Sequence, residues 1–268
     1  MKKNSFWMTI KNEIIYWVLI VVLSGFFMYL INTDVQKQLL WITGILNIIL
    51  LETWFVRIFL LFSGRKISQY SDVIQRISLK DRFFEYFLLP IIFLSTFMLF
   101  LYFNKSVLMG YWVFVLCMLI IFLIFVNVKS SLRHIYRISS VTKGVFDLLC
   151  IITFYLLLNI LFRLGFDMGL AMLLSSLFAF LIFLAELQLH NRVDFISILI
   201  SLVSSTFVAL SIGCFVFQNI FVITSVGTVA FYLIISLWNV RFAGKYRLVD
   251  YISPFIYSVI ALILIFNI

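Results

Sequence analysis

The chain has 268 residues, 65% of them apolar, 19% aromatic and 12% charged, with a formal net charge of +9. Mean hydropathy is +1.19. Soluble domains are about 45–50% apolar and about 25% charged, so a soluble globular fold, a disordered chain and a secreted disulfide scaffold are excluded. What remains is an all-α polytopic membrane protein.

A membrane-spanning helix needs roughly 17–25 mostly apolar residues. Nine such stretches are predicted in chain order: Ile14–Ile31, Leu39–Ser63, Phe83–Phe103, Val107–Val128, Val145–Phe162, Leu170–Leu189, Phe195–Phe217, Ile220–Val240 and Tyr251–Ile268. They form one transmembrane domain, with no segment left for a soluble one. Runs such as Val107–Val128 lack the alternation of a membrane β-barrel. The first span reads as a retained helix rather than a removed signal, because no small-x-small cleavage pattern follows it. Two connections are very short, Asn104–Ser106 and Gln218–Asn219.

Lys and Arg in short loops mark the cytoplasmic side. With the N-terminus inside, sixteen of the twenty basic residues fall on the inner side. Lys37, Lys105 and Arg163 are outside, and Arg57 lies within a span. The expected orientation is N-terminus cytoplasmic and C-terminus outside, in a membrane such as a bacterial plasma membrane. The positive charge is thus a topology signal. It does not point to nucleic acid, because no basic domain exists outside the membrane.

The second loop repeats Ile67, Tyr70, Ile74 and Ile77 at helical spacing among Lys66, Arg76 and Lys80. The fourth places Lys129, Arg133 and Arg137 in one stripe. Both read as amphipathic interfacial helices. Lys129, Arg133, Arg137 and nearby Asp147 are candidate contacts for an anionic ligand or lipid headgroup at the cytoplasmic face.

Span two carries Glu52 and Arg57. Glu52 stands near its centre, where a charge costs at least roughly 2.5–3.5 kcal/mol on insertion scales. Its helical neighbours Ile48, Ile49, Phe55 and Val56 are apolar. Arg57 lies about 140° around the helix and snorkels toward the cytoplasm. Glu52 must therefore be neutral, bonded to another helix or in contact with water. Glu85, Asp147, Asp194 and Asp250 open spans at the cytoplasmic end, where acids complement helix dipoles, and Glu186 closes span six at that level.

Span seven is small at every fourth position: Ser197, Ser201, Ser205, Ala209 and Gly213. Such a ridge lets two backbones approach closely in lipid. Ala171, Ser175 and Ala179 of span six are the expected partners. Ser204, Ser205 and Thr206 also supply hydroxyls, which with Glu52 and Arg57 form the candidate intramembrane polar site.

Cys117, Cys150 and Cys214 lie in apolar runs without metal-ligand spacing, and His134 and His190 sit in polar segments. No cofactor or metal site is indicated. There is no phosphate-binding G-x-x-x-x-G-K-[ST], no H-E-x-x-H and no paired D-x-x-x-D. Asn127-Val128-Lys129 and Asn239-Val240-Arg241 both end even-numbered spans, but three residues do not make a repeat. Three classes of function stay open. The first is a carrier- or flippase-like protein for a small or lipid-like substrate, favoured by Glu52 but opposed by few Gly and Pro. The second is a non-catalytic subunit or assembly factor, with a membrane-protein partner or as a homo-oligomer. The third is an enzyme acting on a phosphate-bearing lipid at the cytoplasmic face.

Overall fold

The structure is a computed structural model that describes residues 3–33, 37–62, 66–68, 71–74, 83–133, 140–189, 194–215, 218–244 and 247–267. Within these, only the backbone is described at 3–12, 37, 62, 66–68, 71–74, 84–85, 130–133, 140–142 and 189. Long apolar runs leave the backbone no partner but itself, so they become helices. Among the described residues nine helices are long and apolar enough to span a membrane. They are α1 (Lys3–Asn32), α2 (Lys37–Phe62), α3 (Leu89–Phe103), α4 (Val107–Arg133), α5 (Ser140–Arg163), α6 (Met168–Leu189), α7 (Phe195–Gly213), α8 (Ile220–Phe242) and α9 (Leu248–Phe266). This is a helical, multi-pass membrane protein, and its surroundings are a lipid bilayer.

The chain divides into two compact units, Met1–Phe146 and Asp147–Ile268, with the division inside α5. In the first unit, exposed aromatic residues gather where α1 and α3 end and where α2 and α4 begin: Tyr29, Trp41, Tyr102, Tyr111 and Trp112. Amphipathic rings are favoured at the membrane–water boundary, so this level is an interfacial belt. Toward the other end, Trp54 of α2 stacks on Phe125 of α4 at 3.8 Å between centroids, while Phe55 and Phe59 meet Phe87. In the second unit, Phe231 of α8 stacks between Phe154 of α5 and Phe183 of α6.

Helix ends follow local chemistry. A π-helical turn, Phe84–Leu88, leads into α3. Pro90 lacks an N–H and its ring would clash with the carbonyl four residues back, and the widened turn relieves both. Asn104 and Ser106 make the tight α3–α4 connection: the Ser106 amide donates to Asn104 Oδ1 and the Met109 amide to Ser106 Oγ. After α5, Gly165 adopts φ +69°, which suits a residue without Cβ.

Two expectations are corrected. The second-loop segment does not form an amphipathic helix through Lys66, Ile67 and Ile74. Lys66–Ser68 pairs antiparallel with Ser71–Ile74. Ile67, Val73 and Ile74 are β-branched, which favours extended backbone, and Ser68 and Ser71 flank the reversal. Tyr70, Arg76, Ile77 and Lys80 lie outside the described residues. Span seven does not reach Phe217. It stops at Gly213, a poor helix former, and α8 restarts at Asn219, whose side chain accepts from the Val222 amide at 2.8 Å.

Candidate functional site

Within the first unit, α2 presents three faces. Thr43, Asn47, Leu51, Trp54 and Ile58 are buried, and Asn47 Nδ2 donates to Ser24 Oγ of α1 at 2.6 Å. Ile49, Val56 and Leu60 are exposed and face lipid. Between these faces runs the stripe Trp41, Ile45, Ile48 and Glu52, at intervals of four, three and four residues, which share one side of a helix.

That stripe lines a cavity. A lateral groove of about 210 Å³ lies between α2 and α3, with Phe27 of α1 at its back. Trp41, Tyr102 and Phe103 flank it at the level of the aromatic belt. Ile45, Met98 and Leu99 wall it further in, and Ile48 and Ser95 stand deepest. The lining is almost wholly apolar. Glu52 comes one helical turn beyond Ile48 on the same stripe. Its Oε1 is buried and has no hydrogen-bond partner among the described residues. Beyond it, Trp54, Phe55 and Phe59 close α2 against Phe87 and Phe125. The carboxyl therefore lies between an apolar groove on one side and an aromatic plug on the other.

Arg57 is exposed, as the snorkelling geometry requires, and its guanidinium carbon lies 5.7 Å from the centroid of the Tyr16 ring. It does not turn back to Glu52. The seventh-span hydroxyls belong to the other unit. Ser205 Oγ donates to Leu202 O at 2.8 Å and Thr206 Oγ1 to Val203 O at 2.7 Å, so their polarity is absorbed by their own helix. Ser204 is half-buried.

The small-residue ridge lies against α6. Ser201, Ser205 and Ala209 are buried, as are Ala171, Ser175 and Ala179. Ser176 Oγ donates to Ser205 Oγ at 3.3 Å. A Cβ added at Gly213 would meet Met172 Cε at 2.8 Å. Ser197, at the helix start, is half-buried.

Of the basic candidates, Lys129 is engaged inside the unit. Its Nζ is 2.7 Å from Glu13 Oε1 of α1, and both side chains are largely withdrawn from solvent. The Arg133 side chain, Arg137, His134 and His190 lie outside the described residues. In the second unit Asp147 Oδ2 accepts from Asn239 Nδ2 at 2.7 Å, and Cys150 Sγ lies 3.8 Å from Glu186 Oε2. Glu186, three residues before the end of α6, is fully buried. Among the described residues no group of His, Cys, Asp and Glu could hold a metal ion.

Sequence reasoning missed Glu13, Asn47 and Ser24. Asn47 left a signal, a lone amide inside an apolar run. Glu13 left little, because it stands where the polar N-terminal segment meets the first span.

These features define a multi-pass helical membrane protein with a lateral apolar groove and, one helical turn beyond Ile48 of its wall, an acid within a candidate span. Comparison with protein families, with characterised proteins and with solved structures finds no match for the chain.

Proposed function

We propose that the protein is carrier- or flippase-like and handles a lipid-like amphiphile. Its chain occupies the α2–α3 groove and its polar end, an amine or hydroxyl donor, meets Glu52. One observation carries the reading: the α2 stripe that walls the groove continues, one turn on, to a buried carboxyl oxygen with no hydrogen-bond partner among the described residues. A purely structural acid in a membrane is paired by the protein itself, because an unsatisfied polar group is costly there. A carboxyl left to accept from a visiting group fits a transient occupant. The groove entrance at the aromatic belt fits entry from one interface. In this reading the N-terminus is cytoplasmic, the C-terminus is outside and the membrane is a plasma membrane, supported by the charge asymmetry of the loops.

Photolabelling tests the binding step. A long-chain alkylamine with a diazirine near its tail is equilibrated with the protein in liposomes, irradiated and mapped by mass spectrometry. Adducts concentrated on α2 and α3, and lost in Ser95→Trp, support the reading. Label spread evenly over the lipid-exposed faces, Leu108 and Leu264 included, contradicts it and favours a non-catalytic subunit.

A further inference from the structure

We infer that the chain is a tandem duplication of one four-helix module, α1–α4 followed by α5–α8, with α9 appended, and that Arg241 holds Asp147 as Lys129 holds Glu13. The inference does not depend on the function proposed above.

Four observations converge. First, the units divide inside α5, so the α1–α4 set and the α5–α8 set fall largely in separate compact bodies.

Second, each unit ties the start of its first helix to the end of its fourth through an acid. In the first, Glu13 of α1 pairs with Lys129 of α4. In the second, Asp147 of α5 accepts from Asn239 of α8. These fourth helices carry, four residues and one residue before their ends, the similar triplets Asn127-Val128-Lys129 and Asn239-Val240-Arg241. The triplet alone proves nothing. Its use in both units to hold the acid of the first helix is a shared architecture. In the first copy the triplet's third residue takes the acid, and in the second its first residue does. A shared framework places Arg241 within reach of Asp147 as well.

Third, the second helix of each unit has one buried or half-buried acid, Glu52 in α2 and Glu186 in α6. The interval from Glu13 to Glu52 equals, residue for residue, that from Asp147 to Glu186.

Fourth, this register explains how the copies differ. The α2 stripe Trp41, Ile45, Ile48 and Glu52 corresponds to Ser175, Ala179, Ile182 and Glu186 in α6. In the first copy large side chains hold the second and third helices apart, and the gap is the lateral groove. In the second copy Ser176 meets Ser205 of the ridge, a shallow groove of about 540 Å³ lined by Ser176, Ser205 and Ala209 runs along the α6–α7 seam, and Glu186 is fully buried beside Cys150. Both modules therefore carry a groove between their second and third helices, walled by large side chains in the first and by the small-residue ridge in the second.

Charge exchange in the full-length protein tests the inference without any activity. Thermal unfolding is followed in detergent for Asp147→Arg, Arg241→Asp and the double exchange, beside Glu13→Lys, Lys129→Glu and their double. Each single variant is expected to lower the midpoint by about 5–10 °C, and each double to recover at least half of that loss. A rescue for 13/129 with none for 147/241 overturns the equivalence. Should the single variants fail to accumulate, cysteines at 147 and 241 are introduced with Cys117, Cys150 and Cys214 replaced by Ala and a protease site inserted after Leu189, and the 13–129 pair is introduced in the same background with the protease site after Lys80 instead. Oxidation in membranes should bridge 147–241 as readily as a 13–129 pair. Failure to bridge, while 13–129 closes, overturns it equally. Silence of Glu52 in a transport assay would remove the proposed function and leave this result standing.

Discussion

Lys129 reaches back along α4 to place its ammonium 2.7 Å from the Glu13 carboxylate, with only 13% and 7% of the two side chains left accessible. A lysine at the end of a membrane helix ordinarily snorkels outward to headgroups. Here an acid on the neighbouring first helix turns it inward, and the charge that looked like a lipid contact fastens α1 to α4. Glu13 Oε2 is buried without a hydrogen-bond partner among the described residues, so among these the lysine is the carboxylate's principal compensation.

Removing one member of this pair is expected to cost more than removing both. Lys129→Met leaves a buried carboxylate uncompensated, a loss of about 3 kcal/mol, whereas an apolar replacement of a whole buried pair is often neutral. Thermal unfolding should therefore show Lys129→Met well below wild type and Glu13→Leu/Lys129→Met close to it. Equal loss in both variants would mean that the pair stabilises by its own attraction.

The α6–α7 interface predicts a contrast between adjacent serines. Ser205 is buried opposite Ser176, and Ser204 is half-buried beside it. Ser205→Leu should overpack the contact and cost about 1–3 kcal/mol, while Ser204→Leu costs little. Measured melting temperatures that fall equally would place the ridge toward lipid.

Gly227 of α8 sits where a Cβ would meet Ile212 Cγ1 at 2.7 Å and Leu158 Cδ1 at 2.8 Å. Both neighbours belong to buried side chains and have little room to give. Gly227→Ala should lower stability by about 1–3 kcal/mol through overpacking, despite the better helix propensity of alanine. A melting temperature at or above that of wild type would show that this packing is looser than drawn.

Topology has its own test. Reporter fusions after Asn104 and at Ile268 should both register the outer face, and a fusion after Arg133 the inner one. A cytoplasmic reading at Ile268 would remove the odd span count in an N-terminus-inside orientation.

The helices were legible in the sequence because a membrane makes one demand, that every backbone group be satisfied within the span, and apolar runs answer it openly. Glu52 was legible for the same reason, as a lone acid where acids are costly. The groove beside it was not. Its existence depends on how far Trp41, Ile45 and Ile48 hold α2 from α3, a distance that no single helix encodes. Glu13 was hidden in a polar segment, and only its partner a hundred residues later gives it meaning. Ile67 and Ile74 satisfied a helical spacing, but in so short a segment the same residues suit an extended pair equally well. The end of α7 was masked because apolar residues continue past Gly213 after the helix has stopped.

The groove and its carboxyl are examined together by transbilayer movement in proteoliposomes. A phosphatidylethanolamine with a fluorescent tail and a free amine is followed by dithionite quenching, beside its phosphatidylglycerol counterpart, for wild type, Glu52→Gln and Ser95→Trp. Wild type should exchange the amine-bearing lipid between leaflets faster than protein-free liposomes. Glu52→Gln keeps the shape of the side chain but removes the acid, so it should slow that exchange by about tenfold or more, the worth of a hydrogen bond to a charged amine. Ser95→Trp, which fills the deep end of the groove, should abolish it. Wild-type vesicles no faster than protein-free ones, or Glu52→Gln exchanging at the wild-type rate, would contradict the carrier reading.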